Sequence, residues 1–199
     1  MSNTKRMGLV GLLGASIAVA VVSASAAVTA RPSAARCGGA TWRLATLSDA
    51  HRAAVAVLPK TTTIGAIAQR GSPRRLPSTR STSFQKQTWQ VIAQVTTYHL
   101  EANVLELTLF DAGVYIKAAL PAPSCLPSTT RARTKIVQAW TKFISDCGHP
   151  TDHPQSLGAV GYISGVGFWS RAHAGPGLAA NGAELRPVTA LRFVAGCKS

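Results

Sequence analysis

Acidic residues are scarce in this chain, which has 7 Asp and Glu against 21 Lys and Arg and a formal net charge of +14 over 199 residues. The few carboxylates are also scattered and form no paired motif. A calcium-dependent nuclease needs clustered carboxylates to hold its metal, so that class is disfavoured. The excess of positive charge instead predicts an affinity for polyanions.

The usual enzyme signatures are missing as well. No P-loop, GxSxG or HExxH motif occurs in the chain, so its sequence lacks the local patterns typical of nucleotide, serine-hydrolase or zinc-protease sites. The string DCGHPTDH at residues 146–153 has loose metal-like spacing, but beside an expected disulfide we interpret it as a polar loop. We predict no bound metal, no cofactor and no catalytic residue.

Cysteine is also rare, with four residues and no CxxC pair. An even number of cysteines in an exported protein favours two disulfides over metal ligation. Three pairings are possible. We prefer Cys125–Cys147, which would bracket one helix, and Cys37–Cys197, which would tie the ends of the domain together.

Long apolar runs are confined to the amino terminus. Lys5 and Arg6 precede an apolar run at residues 8–22, and small residues follow it. This order predicts a secretory signal peptide at residues 1–30 that is cleaved on export to the periplasm or the extracellular space. A retained anchor helix is the alternative, but the run is shorter than the roughly 20 residues that span a bilayer. The mature chain should therefore lack a transmembrane segment.

Residues 88–120 contain three runs rich in β-branched and aromatic residues. Short polar breaks at residues 101–103 and 111–113 separate these runs, which predicts an antiparallel meander. Along the first run, Trp89 and Val91 begin a series of apolar residues at every second position, so one face is apolar and the other mixed, as expected for a half-buried strand.

An amphipathic helix is predicted at residues 132–147, where apolar side chains recur at helical spacing, and Gly148 is placed to end it. Two further strands are predicted at residues 157–169 and 183–194. The resulting β-β-β-α-β-β order is that of the OB-fold, a five-stranded Greek-key barrel. We therefore predict a mainly β, OB-like barrel domain at residues 87–196, with another small α+β barrel as the alternative.

Residues 31–86 are predicted to form an amino-terminal extension with short helical elements. One helix is expected from Thr46 to Val57, with Ser48 as its cap and Pro59 after its end, and another opens near Gly65. Residues 69–86 then read QRGSPRRLPSTRSTSFQK, which is basic, free of acids and typical of a loop leading into the first strand. Such a lead-in is either an electrostatic arm for polyanions or a solvated linker.

The carboxy-terminal third carries a longer pattern, GVGFWSRAHAGPGLAANGAELRPV at residues 165–188. It resembles the GxGFfDxxHGxxGxApNgxELHPV-like signature (lower case marks variable positions) of a family of uncharacterised exported bacterial proteins. Asp111, the Pro-x-Cys at residues 123–125 and Cys147 also match that family. The resemblance implies export and an OB-like domain, and it carries no activity. Two departures are Ser170, where the family has aspartate, and Arg186, where it has histidine.

The polar residues of this signature form a possible site, made of His173, Asn181, Glu184 and Arg186. His173 and Glu184 could act as acid–base partners or join a metal site. The simpler interpretation is structural: Asn181-Gly182 is typical of a type I′ turn, and Glu184 can pair with Arg186, two residues along the same strand.

The composition and the predicted fold together favour a non-enzymatic binding domain that captures a polyanion, either nucleic acid or an anionic envelope polymer. OB barrels bind single strands through stacking aromatics and a basic groove. The predicted aromatic platform is Tyr98, Phe110 and Tyr115, and the predicted charges are Arg74, Arg75, Arg80, Lys86 and Lys117. A structural or protein-interaction module of the cell envelope is the first alternative, and a degenerate nuclease-like hydrolase is the second.

Overall fold

The structure, a computed structural model, describes residues 37–171 and 175–197. These residues belong to one compact unit. The predicted signal peptide and His173 lie outside the described residues. The strands are β1 (Ala56–Thr61), β2 (Gln87–Glu101), β3 (Val104–Asp111), β4 (Val114–Pro121), β5 (Gln155–Trp169) and β6 (Ala183–Ala195). The helices are α1 (Trp42–Ala45), α2 (Ile64–Ala68) and α3 (Arg133–Cys147). None of these helices has the length and hydropathy that crossing a membrane requires.

Five of the six strands close into a ring in the order β2-β3-β4-β6-β5, with β5 pairing back onto β2. The pairing between β4 and β6 is parallel and the other pairings in the ring are antiparallel. The ring can close because β2 is 15 residues long. It pairs with β5 over most of its length and with β3 over its second half.

The predicted meander is confirmed, with two-residue turns at both breaks. Ala102 and Asn103 have φ of 46° and 65°, and Ala112 and Gly113 have φ of 48° and 82°. Two consecutive residues with positive φ are what a type I′ hairpin turn requires. The meander strands turn a row of leucines inward, and Leu105, Leu107 and Leu109 are fully buried.

Helix α3 is the predicted amphipathic helix. It buries Ile136, Ala139 and Phe143 and packs on β6 and β4. The ring of Phe143 lies 5.1 Å from that of Tyr98 and 6.1 Å from that of Phe193, so one side chain joins the helix to two strands. The helix ends at Cys147, and Gly148 follows with φ of 93°, a conformation that glycine adopts without steric cost.

The amino-terminal extension differs from its prediction. The expected helix between Thr46 and Val57 is absent: α1 ends at Ala45, a single 3-10 turn covers Arg52–Ala54, and β1 follows. Strand β1 pairs in parallel with β2 at the edge of the sheet. An edge position tolerates Pro59, which lacks an N–H to donate. The second expected helix is α2, capped by Thr63, whose hydroxyl accepts from the Ala66 N–H at 3.1 Å.

The four cysteines form two disulfides, but the predicted pairing is wrong. The bonds are Cys37–Cys125 and Cys147–Cys197, with Cα–Cα distances of 5.3 and 5.0 Å. Bridged cysteines need Cα atoms about 5.5 Å apart, whereas a 15-residue helix separates its ends by about 22 Å. Cys147, at the far end of α3, therefore pairs with the cysteine that follows β6.

Candidate ligand-binding site

The basic segment, residues 69–86, is held against the barrel by its last residues. The Trp169 indole N–H donates to the Thr82 hydroxyl at 3.0 Å, and the ring of Phe84 lies 4.8 Å from that of Trp169. Phe84 also covers Gly167, where an added Cβ would lie only 2.1 Å from the Phe84 carbonyl oxygen. The segment is irregular, as predicted, but it is anchored to the end of β5 and is therefore not a free arm.

Arg80 belongs to this anchor, and the prediction that it binds a ligand is wrong. Its side chain is fully buried, and its Nε lies 2.9 Å from the Asp49 carboxylate. The guanidinium also donates to the carbonyl oxygens of Gln85 and Leu44. Burial lowers the pKa of Arg80 and the nearby Asp49 carboxylate opposes that effect. All of these contacts are internal, so Arg80 joins the basic segment to α1.

The first residues of the basic segment face solvent and form one wall of a pocket of about 170 Å³, which we call the basic pocket. Loop residues after β5 and before β6 form the opposite wall. The polar and charged residues that line the pocket are Ser72, Arg74, Ser170, Arg171 and Asn181. Arg74 and Arg171 are exposed. The lining contains two guanidinium groups and no carboxylate, so the chemistry of the pocket suits an anionic group.

Asn181 fixes the geometry of the basic pocket. Its amide N–H₂ donates to the carbonyl oxygens of Ile67 and Arg70, each at 3.0 Å, and its side-chain oxygen accepts from the Ala183 N–H at 3.0 Å. These bonds tie the end of α2 to the start of β6. The predicted type I′ turn is wrong, because only Gly182 has a positive φ there. Gly182 instead closes the turn by donating to the Ala179 carbonyl.

Arg70 is a positioning residue that sequence reasoning missed. Its guanidinium carbon lies 4.2 Å from the centre of the Trp89 ring, and its carbonyl accepts one of the Asn181 bonds. A cation over an aromatic face is favourable and holds the arginine flat. No local pattern indicates this contact, because Trp89 is on the next strand of the chain and faces the core.

Lys117 and Arg186, which were predicted to bind ligand or form a polar site, both contact Glu106, and the predicted Glu184 lies beside Arg186. The Lys117 ammonium donates to one oxygen of Glu106 at 2.6 Å, and Arg186 donates to the other at 2.9 Å. Arg186 Nε lies 4.0 Å from a Glu184 oxygen, so the expected pair forms at contact distance. Burial raises the pKa of Glu106, but the Lys117 hydrogen bond and the Arg186 charge together leave that pKa below its ordinary value.

His99, Glu101 and Glu106 form a group with metal-like geometry, since one ligand atom from each lies within 4.8 Å of the others. The Glu106 carboxylate in this group already binds two cations, Lys117 and Arg186. Both of its oxygens are therefore engaged, and the group is a charge-compensated network. In the 146–153 string, Asp146 and Cys147 end α3, where Asp146 pairs with Lys142 at 2.9 Å, and only residues 148–153 form the predicted polar loop.

The predicted aromatic platform is divided between the core and the surface. Tyr98 was predicted to stack with a ligand, but it is 6% exposed and packs against Phe143, so a ligand cannot reach its ring. Tyr115 is 37% exposed, and its ring lies 4.7 Å from that of Phe110. Tyr115 lines a cleft of about 360 Å³ whose other residues are Thr96, Thr97, Thr108, Pro176 and Gly177.

One loop contributes to both depressions. Between β5 and β6, Ser170 and Asn181 line the basic pocket, and Pro176 and Gly177 line the Tyr115 cleft. Gly177 has φ of 78°, and a Cβ there would lie 2.8 Å from the Thr108 side chain, so glycine is required for this approach. Of the remaining predicted charges, Arg75 and Lys86 are exposed on the basic segment.

Comparisons with known proteins identify no relative by sequence: no protein-family model and no curated protein matches this chain. Among solved structures, a Leishmania major Friedlin chain assigned as an aspartyl-tRNA synthetase superposes with a TM-score of 0.43 at 10% identity. The match covers 71% of this chain and 22% of that one, so this chain spans about a fifth of its length. The OBody AM3L09, solved bound to hen egg-white lysozyme, gives a TM-score of 0.38 at 13% identity, covering 64% of this chain and 100% of the OBody. Nothing about function follows from either likeness.

Proposed function

We propose that this protein is an exported, non-enzymatic binding domain with an OB-like barrel that captures a polyanion, either nucleic acid or an anionic envelope polymer. The strand order supports the barrel assignment. The five strands of the ring, in chain order, are β2, β3, β4, β5 and β6. Around the ring they stand in the order first, second, third, fifth, fourth, and α3 lies between the third (β4) and the fourth (β5) in the sequence. A five-stranded Greek-key barrel with this element order is the OB-fold. The two disulfides suit an oxidising compartment outside the cytoplasm.

The basic pocket is the observation that carries the proposed binding function. Within residues 37–171 and 175–197, acidic side chains form ion pairs with Arg80, Lys117, Lys142 and Arg186. Arg74, Arg75 and Lys86 are exposed outside those pairs. Anionic groups on a polymer would supply the charge that the acids of the chain do not. Arginine in a shaped pocket favours a phosphate, sulfate or carboxylate by its paired N–H groups.

The Tyr115 cleft supports a ligand with rings along an anionic backbone. An exposed tyrosine beside Phe110 offers a face on which a base or sugar ring can stack, a contact worth about 1–3 kcal/mol per base for single strands. The loop between β5 and β6 lines both this cleft and the basic pocket, so one extended ligand that follows this loop would contact both sites.

The first test is fluorescence anisotropy of a labelled single-stranded oligonucleotide with the oxidised protein, at about 50 and 200 mM salt. We expect micromolar binding that weakens steeply as salt rises, because bound cations release counterions from the phosphates. An anionic glycan and a polyphosphate, run as competitors, separate nucleic acid from other polyanions. If no polyanion binds even at low salt, the proposal fails, and the domain is better regarded as an interaction module of the envelope.

The basic pocket is tested by a charge-matched pair of variants. Arg74→Gln removes one exposed arginine from the pocket, and Arg43→Gln removes an exposed arginine from α1. Both lower the net charge equally. We expect Arg74→Gln to reduce the slope of log K against log salt by about 1, as for one lost phosphate contact, and Arg43→Gln to leave that slope unchanged. Equal effects of the two would mean that total charge, and not the pocket, binds the polymer.

A further inference from the structure

Another pocket, separate from the basic pocket, lies at the carboxy-terminal end of α3. It has a volume of about 400 Å³, and its walls are the apolar side chains of Leu100, Trp140, Ile144 and Pro150. We call it the Trp140 pocket. Leu100 is near the end of β2, Trp140 and Ile144 lie one turn apart on α3, and Pro150 follows the helix. This volume falls within the roughly 300–1,000 Å³ typical of small-molecule sites.

The polar groups of the Trp140 pocket are few and carry no fixed charge. They are the hydroxyls of Thr141 and Ser145 and the imidazole of His149, all on exposed residues. The nearby Lys142 and Asp146 form an ion pair at 2.9 Å and neutralise each other. Apolar walls with hydrogen-bonding groups beside them suit a ligand with an uncharged ring or short hydrocarbon part and one group that donates or accepts a hydrogen bond.

Three connections hold the walls of the pocket in place without a ligand. The Cys147–Cys197 disulfide joins the end of α3 to the segment after β6. The Gly148 N–H donates to the Ile144 carbonyl at 3.1 Å. The loop after α3 is joined to β2 where the Leu100 N–H donates to the Thr151 carbonyl at 2.6 Å. A pocket whose walls are already fixed loses little conformational freedom when a ligand enters.

We propose that the Trp140 pocket is a second binding site, for a small uncharged apolar molecule with a ring or short chain and one hydrogen-bonding group. A small molecule fits this site because the cavity volume of about 400 Å³ lies in the range of small-molecule pockets and its walls are mainly apolar. The site stands apart from the polyanion proposal: none of its lining residues is an arginine or lysine, and none lines the basic pocket or the Tyr115 cleft.

The test uses N-phenyl-1-naphthylamine, a fluorescent probe that is uncharged and therefore not attracted by the net positive charge of the protein. The measurement is its fluorescence and the energy transferred to it from tryptophan during titration of the oxidised protein. Ser145→Phe fills the pocket from an exposed helix position. Gln138→Phe is the matched control, since Gln138 is also exposed on α3 but lines a different depression, toward β6.

We expect one saturable site in the natural protein, binding at least about tenfold weaker in Ser145→Phe, a loss of about 1.4 kcal/mol, and unchanged in Gln138→Phe. Circular dichroism and thermal unfolding verify that the variants are folded. If Ser145→Phe does not fold, Thr141→Phe fills the same pocket from another exposed position. Binding that does not saturate, or that the filling variant and the control weaken equally, overturns the proposal.

Discussion

The two halves of the basic segment use the same kind of side chain in opposite ways. In residues 70–76, Arg74 and Arg75 are exposed and Arg74 lines the basic pocket. In residues 80–86, Arg80 is fully buried against Asp49, and Phe84 and Gln85 are buried beside it. Arg74 and Arg75 thus present their charge to solvent, whereas Arg80 uses its charge to hold the segment in place. Lys86, the last residue of the segment, is exposed again.

What separates the halves is whether a carboxylate from elsewhere in the chain reaches the cation. Asp49 reaches Arg80, and Glu106 reaches Lys117 and Arg186. With seven acids against 21 basic residues, most cations have no such partner to find. A cation that pairs with a carboxylate helps to hold the fold together, and the exposed cations on the loops that lack such a pair can bind a polyanion.

The largest effect on stability is expected from breaking the buried ion pair between Arg80 and Asp49. Arg80→Met should lower the free energy of unfolding by roughly 3–5 kcal/mol, because it leaves Asp49 buried without its partner. Urea unfolding of the oxidised protein measures this change. Arg75→Met is the control: it removes an exposed arginine of the same segment, and its effect should stay within about 0.5 kcal/mol. Similar losses from both would erase the distinction between the two halves.

Glu106, with its partners Lys117 and Arg186, should also stabilise the fold, and this contribution to stability should depend on pH. The pKa of Glu106 is lowered in the folded protein. The contribution of its carboxylate to the free energy of unfolding is therefore complete above the unfolded pKa of about 4.3 and is lost as pH falls through the folded pKa. At neutral pH, Glu106→Gln should cost about 1.5–3 kcal/mol, since two charged hydrogen bonds are weakened.

The difference in unfolding free energy between the natural protein and Glu106→Gln should then shrink as the pH is lowered below the unfolded value of about 4.3 and through the lower folded pKa. Glu101→Gln is the control, because the Glu101 side chain is 67% exposed and lies 3.7 Å from His99, far enough for a weak contact. It should change stability little at any pH. A Glu106→Gln gap that is the same at all pH values would show that the carboxylate charge contributes nothing to the fold.

Much of the barrel could be predicted because its signals are local. Alternation along β2, the turn residues at 102–103 and 112–113, and helical spacing in α3 each act within a few residues. Strand β1 was missed because Pro59 argues against a strand unless its edge position is known. The disulfide pairing was missed because it depends on where distant segments meet, which no spacing rule gives.

The site was harder to predict, and Tyr98 shows why. Simple alternation from Trp89 places Tyr98 on the outer face of β2, but the strand has an irregularity between Val95 and Thr97. One extra residue reverses which side chains point inward, so Tyr98 enters the core while Tyr115 stays outside. Likewise, nothing near Arg80 in sequence indicates its partner, because Asp49 lies 31 positions away.

The smallest of these effects on stability, and the sharpest test of the exposed half, is expected from Asn181→Ala. It removes three partly exposed hydrogen bonds that hold the basic pocket, which should cost about 1–2 kcal/mol in urea unfolding. Oligonucleotide affinity should fall although no charge has changed. Gln155→Ala is the control: it removes the hydrogen bond that the Gln155 side-chain oxygen accepts from the Thr151 N–H on another part of the barrel, and it should leave affinity unaltered. If Asn181→Ala binds normally while Arg74→Gln does not, the exposed arginines act without a fixed pocket, and the anchored half serves stability alone.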